Sequence, residues 1–339
     1  MKRIQKQSLA GKRLKAASRK FIHTYSFLCF LSLILLGFCS SVYAQNNEEI
    51  IRVDTNLIPF EVTVTDKDGN PVRGLDAKDF KIFENGVERP IEFFEPLKKS
   101  NESRPLSIVF ALDVSGSVTS AELRRIHEAL QSFVKRLADY NSYFAVMTFG
   151  MQVKTIQSFT NRPEKLEKSI DKILREQDGL STHSYDAVDD AIRLIKKKSP
   201  PTVNQKIPKR AVILITDGFP VGDTVSPKTV IERANQAETT VYSVLLPSFS
   251  RLQMDRKPLL TPLEASGLLE KTGGRAFYAT QKDFEPLFKS LAEEITSSYV
   301  LAFYPNDKSR RSGKFHEVRI EVSNGLQIKQ NRSGYEIEQ

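Results

Sequence analysis

Two apolar runs, each ending in an aspartate, restrict what this chain can fold into. The first is Ile108-Val-Phe-Ala-Leu-Asp113 and the second is Ala211-Val-Ile-Leu-Ile-Thr-Asp217. A continuous apolar run closed by a turn signal reads as a strand buried on both faces, as in a parallel sheet covered by helices. Helical stripes separate and follow these runs. Leu123, Ile126, Leu130, Phe133, Val134 and Leu137 share one face of a helix over about 120–140. Further helices are expected near 162–175, 185–197, 227–237 and 283–298, and a strand over 240–246. The last helix aligns Phe284, Leu287, Phe288, Leu291 and Ile295. Tyr143–Phe149 and Gln152–Phe159 flank Gly150 and read as an antiparallel edge hairpin. The alternation across 105–298 predicts an α/β fold: a doubly wound, mostly parallel sheet with helices on both faces.

Asp113-Val-Ser115-Gly-Ser117 places one carboxylate and two hydroxyls at alternate positions where the first strand ends. In open α/β sheets that edge binds ligands. Hard oxygens in this pattern suit Mg²⁺ or another small divalent ion. The plainer reading is a strand-to-helix turn in which Ser115 or Ser117 caps the next helix. Asp217-Gly218 is likewise a common turn pair. In the loop Gly179-Leu-Ser181-Thr182-His-Ser-Tyr-Asp-Ala187, Ser181 or Thr182 has the chemistry of a cap.

Taken in order, the three segments resemble the von Willebrand factor type A domain. That family carries a metal-ion-dependent adhesion site written D-x-S-x-S, then a distant Thr, then a distant Asp. The matching residues here are Asp113, Ser115, Ser117, Thr182 and Asp217. Leu180-Ser181 stands where the family often has Gly-Gly, so Ser181 and Thr182 both remain as the loop ligand. The whole chain resembles a group of secreted bacterial proteins described as VWFA-related, common in acidobacteria. The resemblance implies that Ser115, Ser117 and Thr182 offer hydroxyl ligands to Mg²⁺ (or Mn²⁺ or Ca²⁺). Asp113 and Asp217 would hold the ion directly or through water. It implies a non-enzymatic adhesion or interaction module that captures an exposed Asp or Glu of a protein partner. Loops 179–186, 218–227 and 247–262 would rim the site.

Two other classes compete. One is a structural envelope module with a vestigial metal site. The other is a hydrolase, with Asp113, Ser115 and His183 as a triad or with a metal assisting. The G-x-S-x-G elbow is absent, and beyond residue 44 the chain offers only His127, His183 and His316.

Composition removes a further class. The net charge is +9, but residues 1–44 hold eight Lys and Arg and no Asp or Glu. Without those eight, 42 basic residues face 41 acidic ones, and no nucleic-acid footprint remains. Residues 1–44 instead read as a signal peptide: a basic stretch to Lys20, an apolar core densest at Phe27–Phe38, and Val42-Tyr-Ala44 before Gln45. Cleavage after Ala44 would make the protein periplasmic or secreted. An uncleaved segment would be its only membrane contact. Cys29 and Cys39 both lie in this segment, so the cleaved chain would have no disulfide.

Residues 45–100 and 299–339 are β-rich. Thr55–Thr65 alternates from Phe60 onward. Phe80–Glu84 and Val87–Phe94 meet at Asn85-Gly86, a hairpin turn. Tyr299–Tyr304, Glu317–Val322 and Leu326–Lys329 are strand-like. Neither segment has enough strands to bury its own apolar face. They are expected to build one immunoglobulin-like β-sandwich, with the α/β domain inserted between them.

Overall fold

The computed structural model describes residues 57–96, 104–116, 118–173, 179, 181–246, 260–279, 284–306, 309 and 313–337. The predicted signal segment, Ser117 and most of loop 247–262 lie outside the described residues.

The first strands are β1 (Ile58–Thr65), β2 (Phe80–Glu84), β3 (Val87–Arg89) and β4 (Phe93–Pro96). The α/β domain follows with β5 (Leu106–Asp113), α1 (Ser120–Leu137), β6 (Tyr143–Phe149), β7 (Val153–Thr160), α2 (Pro163–Ile173) and α3 (Ser184–Lys198). It continues through β8 (Lys209–Thr216), α4 (Pro227–Gln236), β9 (Thr239–Leu245), α5 (Pro262–Ala265), α6 (Leu268–Lys271), β10 (Ala276–Tyr278) and α7 (Glu285–Ile295). The chain closes with β11 (Ser298–Phe303), β12 (His316–Val322), β13 (Gln327–Gln330) and β14 (Gly334–Tyr335).

The central sheet has the order β10-β9-β8-β5-β6-β7, parallel except for the antiparallel edge strand β7. All eight residues of β5 are buried. Ile108, Phe110 and Leu112 face one core, shared with α1, α2 and α7. Val109 and Ala111 face the other, shared with α3, α4 and the short helices. Two covered faces explain why the sequence shows a continuous apolar run there in place of alternation.

The flanking segments form two antiparallel four-stranded sheets, β13-β1-β11-β4 and β14-β12-β2-β3. Each mixes strands from both ends of the chain. Their inner faces share one core, in which Phe60, Val62, Val64 and Ile82 meet Tyr299, Leu301, Phe303, Val318 and Ile320. One expectation needs correction. Val87–Phe94 is not a single strand: it breaks after Arg89, and its halves join different sheets. Pro90 stands at the break and has no N–H to continue a ladder.

The two parts are joined by a buried ion cluster. Lys209, at the start of β8, is 1% exposed and pairs with Glu61 of β1. The Lys209 ammonium also donates to Ile295 O and Ser298 Oγ, each at 3.0 Å. Arg104 Nη1 donates to Glu61 Oε2 at 3.0 Å. Burial alone would raise the Glu61 carboxyl; Lys209 and Arg104 overcome it and hold Glu61 below the usual carboxylate range.

Candidate functional site

The strand order reverses at β5, which the chain leaves toward β6 and rejoins on its other side with β8. The carboxyl ends of β5 and β8 therefore flank a switch point, where open α/β sheets bind ligands. Asp113 is the last residue of β5, and Asp217 follows the last residue of β8. Parallel register, with Leu112 opposite Ile215, brings the two carboxylates to one edge.

Asp113 is 1% exposed. Its Oδ1 accepts from the Ser115 backbone N–H at 2.9 Å, and its Oδ2 accepts from the Thr216 hydroxyl at 2.8 Å. Burial pushes its carboxyl up to about 6, against the pull of the Ser115 and Thr216 donors, and Asp217 pushes it further the same way. Among the described residues no cationic side chain pairs with Asp113 or Asp217. Asp217 Oδ1 accepts from the Phe219 N–H at 3.1 Å, which folds the turn back on itself. Gly218 makes that turn with φ +82, and a Cβ there would lie 2.9 Å from both Leu245 and Thr261 side-chain atoms. Only glycine fits both the space and the left-handed backbone.

The helix caps bear on the competing reading. The N-cap of α1 is Thr119: its Oγ1 accepts from Glu122 N at 3.2 Å, and Glu122 Oε2 accepts from Thr119 N at 2.8 Å. This capping box satisfies the helix start without Ser115. The N-cap of α3 is His183, with no side-chain cap bond, so neither Ser181 nor Thr182 caps that helix. Thr182, 5% exposed, instead donates its hydroxyl to Ser115 Oγ at 3.3 Å. Asp113, Ser115, Thr182 and Asp217 are thus brought to one edge, whereas Ser117 lies outside the described residues. Ser181 makes no such contact. The imagined triad is not assembled. His183 Nδ1 bonds to Asp186 Oδ2 at 3.1 Å, and Asp113 serves Ser115 N and Thr216.

A set of residues that the sequence did not announce holds the two loops together. Thr182 and Val221 exchange backbone hydrogen bonds at 3.1 and 2.9 Å. Asp186, on the first turn of α3, accepts from Thr224 N, Thr224 Oγ1 and Val225 N at 2.8–3.0 Å. Asp223 Oδ1 accepts in return from Asp186 N at 2.9 Å. Burial would raise the Asp186 carboxyl, but these N–H donors, with His183, hold it below the usual range. The partners are 37 to 39 residues apart, so no local spacing signals them. Asp186→Ala is expected to cost about 2–3 kcal/mol, because several charge-assisted bonds go together. Urea unfolding measures this, and a loss below about 0.5 kcal/mol would show that the loops hold without the buckle.

Among the described residues no group of three or more His, Cys, Asp or Glu is arranged to hold a metal. The residues present still suit a hard divalent ion, since their oxygens include hydroxyls and a desolvated carboxylate that no described cation adjoins.

A family profile, the von Willebrand factor type A domain, matches residues 107–287. The chain belongs to that family. A search of curated proteins finds no match. Among solved structures, BatB from Bacteroides thetaiotaomicron is 17% identical, with 56% of this chain and 97% of that chain aligned at a TM-score of 0.42. Proximal thread matrix protein 1 from the mussel byssus, with its MIDAS motif occupied by zinc, is 12% identical over 62% of this chain and 49% of that one, at 0.45. The pilus adhesin SpaC from Lactobacillus rhamnosus GG is 10% identical over 78% of this chain and 47% of that one, at 0.43.

Proposed function

We propose that the protein is an exported, non-enzymatic interaction module that captures an acidic side chain of a protein partner through a divalent ion, Mg²⁺ or Mn²⁺. The observation that carries this reading is the buried Asp113, with no cation beside it among the described residues, next to Asp217 and the Ser115–Thr182 hydroxyl pair. Ser115, Ser117 and Thr182 would offer hydroxyl oxygens, with Asp113 and Asp217 holding the ion directly or through water. When bound, the ion would supply electrostatic attraction for a carboxylate. Thr216 and the Ser115 N–H fix the Asp113 carboxylate from behind, so its orientation does not depend on a partner. His183 is engaged by Asp186 and is not set as a base for the Ser115 hydroxyl; this favours binding over hydrolysis.

Melts with and without Mg²⁺ test the reading. A ligand at a hundredfold excess over Kd stabilises the native state by about 2.7 kcal/mol. Asp113→Asn keeps the volume but removes the charge. It should abolish the Mg²⁺ shift without lowering the metal-free melting temperature. Identical wild-type melts and no calorimetric heat would favour a vestigial site. Export rests on the order of basic stretch, apolar core and Val42-x-Ala44 in residues 1–44. N-terminal sequencing of the native protein should start at Gln45; a chain starting at Met1 in the membrane fraction would make the segment an anchor.

A further inference from the structure

The described part of the α/β domain leaves five large apolar side chains exposed: Met151, Ile207, Val221, Leu260 and Tyr278. Ile207 stands before the start of β8, at the end of the sheet opposite the site. The other four stand on loops or strand ends at the carboxyl edge. Three of them connect to the site, one by a backbone pairing and two through a loop residue next to it. Met151, 57% exposed, packs on Gly179, whose carbonyl accepts from Gly116 N beside Ser115. Val221, 54% exposed, is the backbone partner of Thr182. Leu260, 70% exposed, adjoins Thr261, which lies against Gly218 beside Asp217. Thr182 thus pairs with an exposed apolar residue, and the loop residues next to Ser115 and Asp217 lead to two others.

Isolated exposed apolar residues need no explanation, but apolar groups gathered round a polar centre mark an interaction surface. The charges there do not favour a basic partner. Asp186 and Asp223 are turned into the loop buckle. Asp113 is buried. A purely ionic partner would leave the three apolar side chains in water.

We propose that the partner's carboxylate is flanked by bulky apolar side chains, and that Met151, Val221 and Leu260 select it. This rests on the metal-dependent reading above and specifies the partner's chemistry. The partner's apolar groups cover the rim while its acid occupies the centre, so water is excluded from the ionic contact, which strengthens it.

The test selects short random displayed peptides on the immobilised full chain in Mg²⁺ and elutes them with EDTA. The eluted pool should carry Asp or Glu beside Leu, Ile, Val, Met or Phe. A synthetic peptide from that pool should bind Met151→Ser and Val221→Ser about tenfold more weakly each, as expected when one apolar side chain no longer covers the ligand. The Mg²⁺ melting shift of both variants should match the wild type, which shows that the site itself is intact. An acid-bearing pool with polar or basic neighbours would overturn the rim and leave the metal reading standing. So would wild-type affinity in both variants. If EDTA elutes no acid-bearing peptide, the metal-dependent capture fails, and this inference with it.

Discussion

Removal of residues 299–339 is expected to unfold the N-terminal β segment as well. β11 lies between β1 and β4, and among the described strands it is the only sheet neighbour of β4. β1 has two neighbours, β11 and β13, and both would be gone. The β2–β3 hairpin would survive in sequence but lose β12, against which five residues of β2 pair. A lone hairpin is marginal in water at best. The core would lose Leu301, Phe303, Val318 and Ile320, leaving Phe60, Val62 and Ile82 exposed. Amides of β1 should therefore pass from core-strand protection, about 5 kcal/mol or more, to almost none in hydrogen exchange. Protection retained throughout 58–65 in the truncated chain would show that the N-terminal segment folds by itself.

The second large effect is expected at Glu61→Gln. The substitution keeps the shape but leaves the Lys209 ammonium, 1% exposed, with only neutral acceptors among the described residues, Ile295 O and Ser298 Oγ. Removing one partner of a buried pair costs about 3–5 kcal/mol, since the other charge remains buried without compensation. The pH dependence follows from the direction of the Glu61 shift. Its folded carboxyl lies below the ordinary value of 4.5, so the folded state holds fewer protons there than the unfolded chain. The stability it contributes is complete above pH 4.5 and is lost as pH falls through the lower folded value. Urea midpoints of wild type and variant should thus differ most near neutrality and converge in acid. A gap that stays constant from about pH 7 to about pH 3 would show that the charge of Glu61 contributes nothing. Glu61→Leu paired with Lys209→Met should recover most of the loss, because a matched apolar pair leaves no buried charge.

The parallel core was legible because its signals are local. β5 and β8 are continuous apolar runs, α1 and α7 carry single stripes, and the hairpin of β6 and β7 brackets Gly150. The placing of Asp113 and Asp217 at strand ends was legible for the same reason: each closes such a run. The ends of elements were less clear. β8 begins at Lys209, two residues before its apolar run, because a lysine at a strand start reads as solvated until its partner is known. β14 is two residues long, and β10 is three, too short for any periodicity. Ser115 and Thr119 have the same capping chemistry in sequence. Only the Glu122 side chain, reaching back to the Thr119 N–H, assigned the cap.

The sequence alone determined the main strands and helices of the α/β domain, since side-chain periodicity and turn chemistry act over a few residues and need no distant partner. It also determined which oxygens could gather at a strand end, because Asp113 and Asp217 are tied to strands whose burial is written in their own composition. Tertiary structure alone decided what lies across from what: Lys209 against Glu61, Asp186 against Thr224 and Val225, Thr182 against Ser115. Those pairings depend on loop closure and strand order. Burying a polar group without a partner costs free energy once the core has excluded water, and no local spacing names the partner.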